Sequence, residues 1–232
     1  MSESEPKRVF GKIVRGVSVG AMAASLAFGQ GEVLRAQDNR LSEDQINTLA
    51  RYGKIRIFNG PNSEGYSVVG YGGFIWDDSN GTYKFCSISH ITRFDGPMQG
   101  MFEDSGVGRD PATCHVTHPT ELGRENAAGA PIMSTEGVQE GETMFITDRE
   151  GGVGYFTVSE ATENMAKLEA LNPGSDGLPE NGDSGTLVYK QNASGDILAV
   201  GAYSGRDILP NQEDPDHPLV FYNVALFSES ES

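Results

Sequence analysis

From Lys54 to Phe227 the chain is a succession of short β-branched or aromatic runs, each closed by glycine or an Asn/Asp-rich turn. Glycine fills 30 of the 232 positions, which suits many short strands joined by turns and not a helical bundle. "KIRIFNG" alternates, "YSVVGYGGFIW" is β-branched and aromatic, and "DDSNGT" turns the chain into "YKFCSISHIT". Residues 94–109 are polar and glycine-rich and read as loop, and "ATCHVTH" reads as a short strand. "ETMFITDREGGVGYFTVSEA" is two strands around a turn, "GTLVYKQNASGDILAVGAYSG" a hairpin turning at residues 192–196, and "PLVFYNVALF" a last strand. One helix precedes them: in "LSEDQINTLARYG", Ser42 and Gln45 form a capping box, and Gly53 ends the run. "SEATENMAKLEALNP" is in conflict, helical by propensity but strand by its place between hairpins.

A formal net charge of −16 argues against nucleic acid or an anionic membrane as the main partner. Residues 1–36 read as a leader: Lys7, Arg8, Lys12 and Arg15 precede an uncharged stretch, residues 16–28, too short to span a bilayer. Cleavage falls after Gly29 or Ala36, and the mature chain is expected to be secreted or periplasmic; the competing reading is an amphipathic or disordered tail. No other segment is apolar and long enough for a membrane span. In an exported chain Cys86 and Cys114 form a disulfide, whereas in the cytosol they stay reduced. His115 and His118 flank Cys114, but Pro119 follows and no second ligand pair lies near, so no metal or cofactor is expected.

"ENGDSGTLV", residues 180–188, is either a surface turn or the seat of a nucleophile, Ser184, with glycines on either side. A serine nucleophile needs a base, an acid to orient it, and N–H donors for the developing oxyanion. The four histidines are His90, His115, His118 and His217. His217 lies between prolines in an acidic loop, and His115 and His118 have no distinctive setting. His90 ends a hairpin after small residues, a placement that sets an imidazole at a sheet rim.

With "YGGFIW", "CSISH", Gly182-Asp183-Ser184-Gly185 and "VGAYSG" in this order, residues 54–227 resemble the chymotrypsin-like (trypsin-like) serine proteases. The lack of the aliphatic N-terminus of animal zymogens points to bacterial or viral-type members. The resemblance implies an all-β fold of two packed six-stranded antiparallel barrels, about residues 54–135 and 136–227 of a protease domain at 37–232. The 94 residues between His90 and Ser184 suit a base on one barrel and a nucleophile on the other. It further implies His90 as base, Ser184 as nucleophile, and the N–H groups of Gly182 and Ser184 as the oxyanion hole. The acid is Asp110 in "GRDPATCHV", although Pro111 and the polar Thr113 depart from the pattern; Asp95, Asp104 and Asp148 are alternatives. A Cys86–Cys114 bond would hold the His-bearing and Asp-bearing strands side by side. After Gly185 the family has Gly-Pro, where this chain has Thr186-Leu187.

The implied pocket is walled by residues 178–183, with Leu178 at its base, and by the strand carrying Ser204 and Arg206. It lacks a carboxylate for Lys or Arg, and Arg206 narrows it, so small or acidic residues are expected before the scissile bond. The competing placement has Arg206 in solvent, paired with Asp207 or Glu213. The function implied is a serine endopeptidase acting on peptides or proteins through an acyl-enzyme. Two alternatives remain: an inactive homologue serving as a secreted binding or scaffold protein, and a small β-sandwich binder in which "NGDSGT" is only a turn.

Overall fold

The computed structural model describes residues 40–95, 98, 100–106, 108–117, 129–147, 151–173, 178–212 and 214–228. The leader expected over residues 1–36, together with His118, Asp148 and Glu213, lies outside the described residues. Helix α1 (Glu43–Tyr52) starts at its capping box: Ser42 Oγ accepts the Gln45 N–H at 3.3 Å, and Gln45 Oε1 accepts the Ser42 N–H at 2.8 Å. The Gly53 N–H donates to the Leu49 carbonyl at 2.8 Å and closes the last turn.

The strands that follow are β1 (Ile55–Asn59), β2 (Val68–Asp77), β3 (Thr82–Ile88), β4 (Glu103–Asp104), β5 (Ala112–Thr117) and β6 (Ile132–Met133). A one-turn helix, α2 (Ser89–Thr92), interrupts them after β3. Then come β7 (Thr143–Thr147), β8 (Val153–Ala161), β9 (Met165–Ala170), β10 (Leu187–Gln191), β11 (Ile197–Leu209) and β12 (Leu219–Leu226).

In the second half the order β10-β7-β8-β9-β12-β11 returns to β10, so six antiparallel strands close into a barrel. Alternate residues fill it, among them Ile146, Phe156, Leu168, Val188, Val200 and Val224. Closure explains β9. Its residues are good helix formers, but only an extended β9 joins β8 to β12, and extension buries Ala166 and Leu168 on the inner face. Tertiary pairing outweighs a propensity difference of a few tenths of a kcal/mol per residue, roughly the spread among such residues.

The first half does not close among the described residues. Its antiparallel order is β1-β2-β3-β5-β4, with β1 pairing only β2 and β4 pairing only β5. The expected second barrel is therefore an open sheet as far as it is described. β4 has just two residues, both exposed, in the polar, glycine-rich stretch. Short β6 runs parallel to both β2 and β11 and joins the sheet to the barrel.

β2 changes partner halfway: residues 68–72 pair β1 and residues 73–77 pair β3. At the crossover a Cβ on Gly73 would meet the Tyr52 carbonyl at 2.5 Å and Leu187 Cδ1 at 2.7 Å, so only glycine fits. A second core, including Leu49, Ile57, Ile75, Ile88 and Ile91, packs beneath α1 and this sheet. Cys86 and Cys114 face each other across β3 and β5 and are joined by a disulfide.

Candidate active site

His90 sits in α2 and not at the end of a strand, because β3 stops at Ile88. Buried side chains pin this single turn. Asn59, fully buried at the end of β1, donates from Nδ2 to the carbonyls of Ile91 (3.0 Å) and Phe94 (3.3 Å) and accepts the Met98 N–H at 3.1 Å. Thr92 Oγ1 bonds Thr113 Oγ1 at 2.8 Å, and the Ser89 N–H donates to the Pro111 carbonyl at 3.0 Å. The two departures noted around Asp110 thus have structural work: Pro111 and Thr113 tie β5 to the helix that carries His90.

Asp110 is held against the imidazole at two points. His90 Nδ1 donates to Asp110 Oδ2 at 2.7 Å, and the His90 backbone N–H donates to Oδ1 at 2.9 Å. The carboxylate accepts and does not donate, so the ring proton lies on Nδ1 and the Nε2 lone pair is left for another group. Ser204 Oγ adds a longer bond to Asp110 Oδ2, 3.4 Å. Burial pushes the Asp110 carboxyl up, but the His90 hydrogen bonds and charge, with the Ser204 hydroxyl, outweigh it and hold the group below the usual carboxylate value. Among the alternatives, Asp104 pairs with Arg93 and Asp95 is exposed on a bend. His217 pairs with Asp214 at 2.8 Å in a surface turn, and His115 lies beside the Phe102 ring.

Ser184 lies on a turn clamped between the two halves. The Tyr71 N–H of β2 donates to its carbonyl at 2.8 Å, while the neighbouring Gly185 N–H donates to the Tyr203 carbonyl of β11 at 2.7 Å. Gly185 has φ +89°, and a Cβ there would collide with the Tyr71 carbonyl and Ser87 Oγ. Thr186, standing where the resemblance has glycine, bonds the Asp183 carbonyl through its hydroxyl at 2.7 Å and tightens the turn. The N–H groups of Asp183, Gly185 and Thr186 are used inside this arrangement. Those of Gly182 and Ser184 have no backbone acceptor among the described residues.

The Ser184 hydroxyl donates to the Ser204 carbonyl at 3.2 Å and makes no hydrogen bond to His90 among the described residues. Ser204 is the link. It is the extra residue of a bulge between Tyr203 and Gly205 in the β11–β12 ladder, which frees its carbonyl for Ser184 and its hydroxyl for Asp110. The sequence reading put Ser204 in the pocket wall; its bonds make it a bridge between acid and serine.

Asp183 is 1% exposed, and its Oδ1 lies 3.3 Å from Lys54 Nζ, whose side chain is also buried. The other oxygen accepts the Glu180 N–H at 2.7 Å, so the carboxylate braces the turn that carries Ser184. Lys54 also reaches the Thr147 carbonyl of β7 at 3.3 Å and lies over the Tyr71 ring. Neither Lys54 nor Asn59 stands out in the sequence. Each is a polar residue in a strand-like run, and its hydrogen-bond and ion-pair partners lie 32 to 129 residues away. Leu178 packs partly buried against the barrel core, and Arg206 faces Tyr222 across β11 and β12. Among the described residues no group of three or more His, Cys, Asp or Glu side chains is arranged to hold a metal.

No protein-family model matches the chain, and no curated protein matches it. Among solved structures it is similar to a chimeric murine norovirus NS6 protease, at 14% identity over 70% of this chain and 90% of that one, with a TM-score of 0.42. A likeness this distant carries no argument about what the chain does.

Proposed function

We propose that the chain is a serine endopeptidase of the chymotrypsin-like type, with Ser184 as nucleophile, His90 as general base and Asp110 as the group that orients it. The observation that carries this reading is the two-point His90–Asp110 contact, which fixes one tautomer and directs Nε2 away from the carboxylate. Ser184 lies one bridging residue, Ser204, from the same carboxylate. In catalysis the serine hydroxyl leaves the Ser204 carbonyl by rotation about its Cα–Cβ bond and passes its proton to His90 Nε2. Oγ attacks the peptide carbonyl carbon, and the N–H groups of Gly182 and Ser184 receive the oxyanion. The imidazolium then protonates the leaving amine, and water, deprotonated by His90, releases the acyl group. An exported location suits both the leader-like residues 1–36 and the disulfide.

The second reading is an inactive homologue that binds without cleaving. One observation favours it: the serine hydroxyl is engaged by a carbonyl and not by the imidazole. A fluorophosphonate probe separates the two, because it labels only a serine with a working base. Labelling of the wild-type chain is expected, and Ser184→Ala and His90→Ala should each lose it along with about 10⁴-fold or more of peptide hydrolysis. A folded wild-type protein that neither labels nor cleaves supports the binding protein instead.

A further inference from the structure

Arg206, on β11, has no carboxylate partner among the described residues. It stands directly opposite Tyr222 in the β11–β12 ladder, so the two side chains share a face. That face carries Tyr222 and Val224 into the barrel core, where Tyr203 also lies. Tyr203 is 1% and Tyr222 3% exposed. Burial raises both phenols, and the Arg206 charge draws both back, as a guanidinium close to the two rings must.

No carboxylate among the described residues answers that charge. Asp207, the neighbour in sequence, turns to the other face and accepts Asn223 Nδ2 at 3.1 Å. Asp183 is bound to Lys54. Arg206 Nε is itself buried with no hydrogen-bond partner. Arg206 is half-buried and the neutral Tyr222 phenol is a hydrogen-bond partner of its guanidinium, so the charge is not offset among the described residues, and a planar carboxylate is the group that matches its fork of donors. The position is also close to the chemistry: Arg206 is two residues beyond Ser204, whose carbonyl holds the Ser184 hydroxyl, a distance of about 7 Å along a strand.

We propose that Arg206, between Tyr203 and Tyr222, receives the carboxylate side chain of the residue whose peptide bond lies against Ser184, so that the chain cuts after Asp or Glu. This rests on the endopeptidase reading. Tyr222, which hydrogen-bonds the guanidinium, holds the fork in place, and the buried Tyr203 and Tyr222 side chains supply an apolar flank for the pair. The site thus recognises the one side-chain class that neutralises it. Lys and Arg are repelled, and a neutral Gln or Asn leaves the guanidinium uncompensated.

The test is a peptide-library cleavage profile of the wild-type chain, run alongside fluorophosphonate labelling of Ser184. The expected result is cleavage dominated by Glu or Asp before the scissile bond. kcat/KM for a Glu peptide should exceed that for its Gln twin by about 10²–10³-fold. Arg206→Gln should bring that ratio close to one, while Arg206→Lys, which keeps the charge, should retain part of it. Labelled enzyme that cuts mainly after basic or apolar residues overturns the inference and leaves the endopeptidase standing. The same holds if Glu selectivity survives in folded Arg206→Gln. A wild-type chain with no labelling and no cleavage overturns both.

Discussion

The barrel and the open sheet are organised by different means. In the barrel every strand has a neighbour on both sides, and a single apolar core fills the interior, so closure itself holds the strands. The sheet β1-β2-β3-β5-β4 has free edges among the described residues. It is held by point contacts: the Cys86–Cys114 bond, the Thr92–Thr113 pair, the Asn59 bonds to the carbonyls around α2, and Lys54 reaching across to Asp183. The candidate base and acid stand on this less closed region, and the serine turn is clamped between the two. A site placed this way owes its geometry to a few polar groups whose removal is felt directly, and the barrel acts as the rigid base.

The largest expected effect, on the proposed activity, comes from the His90–Asp110 contact on the open sheet. Asp110→Asn keeps shape but offers an N–H where an acceptor is needed, so His90 takes the other tautomer. Activity should fall about 10⁴-fold with little change in Tm. Near-normal activity in this variant would remove Asp110 from the mechanism.

Next is the brace between the regions. Lys54→Met strands the buried Asp183 carboxylate and should cost about 3–5 kcal/mol, read as a shift in the urea midpoint. Adding Asp183→Asn, which keeps the acceptor for the Glu180 N–H, should recover part of it. If the double variant is no more stable than Lys54→Met, the pair is not what holds the turn.

Removing the disulfide should act on the sheet alone. It closes a loop of 28 residues, worth about 3–4 kcal/mol in the chain-entropy view. In Cys86→Ala/Cys114→Ala, hydrogen exchange should quicken in β3 and β5 while β8 and β9 keep their protection. Equal loosening of barrel and sheet would break the distinction between them.

The smallest effect concerns acid stability. Burial pushes Asp77 up, but Lys84 at 2.7 Å, Ser79 and Asn80 outweigh it and hold the carboxyl well below its usual range. A depressed carboxylate stabilises the fold above its unfolded value, about 3.9, and that contribution disappears as pH falls through the folded one. Asp77→Asn should therefore lower Tm by about 2–4 °C near neutrality, with the gap to wild type closing below about pH 4. A gap constant with pH would rule out the charge as its cause.

Much of this was legible in the sequence. The α1 capping box, the β10–β11 hairpin with its turn at residues 192–196, and the glycines on either side of Asp183-Ser184 are written in adjacent residues. Asp110 beside His90 came only from the family resemblance, with Asp95, Asp104 and Asp148 as alternatives, whereas the facing cysteines lie on neighbouring strands and were legible in the same way. Local pattern is informative there because the interactions span few residues, and turn chemistry or strand alternation decides them.

Other features were decided only when the chain closed on itself. β9 is a strand because β8 and β12 both need a partner, against its own propensity. Ser204 bridges Asp110 and Ser184 because a bulge releases it from its ladder, across 94 and 20 residues of sequence. Lys54 finds Asp183, and Arg206 turns toward Tyr222 and away from Asp207, for the same reason. A polar or charged side chain has no fixed partner in an extended chain. Burial against distant strands takes away its water and leaves it only the groups that the fold brings within reach.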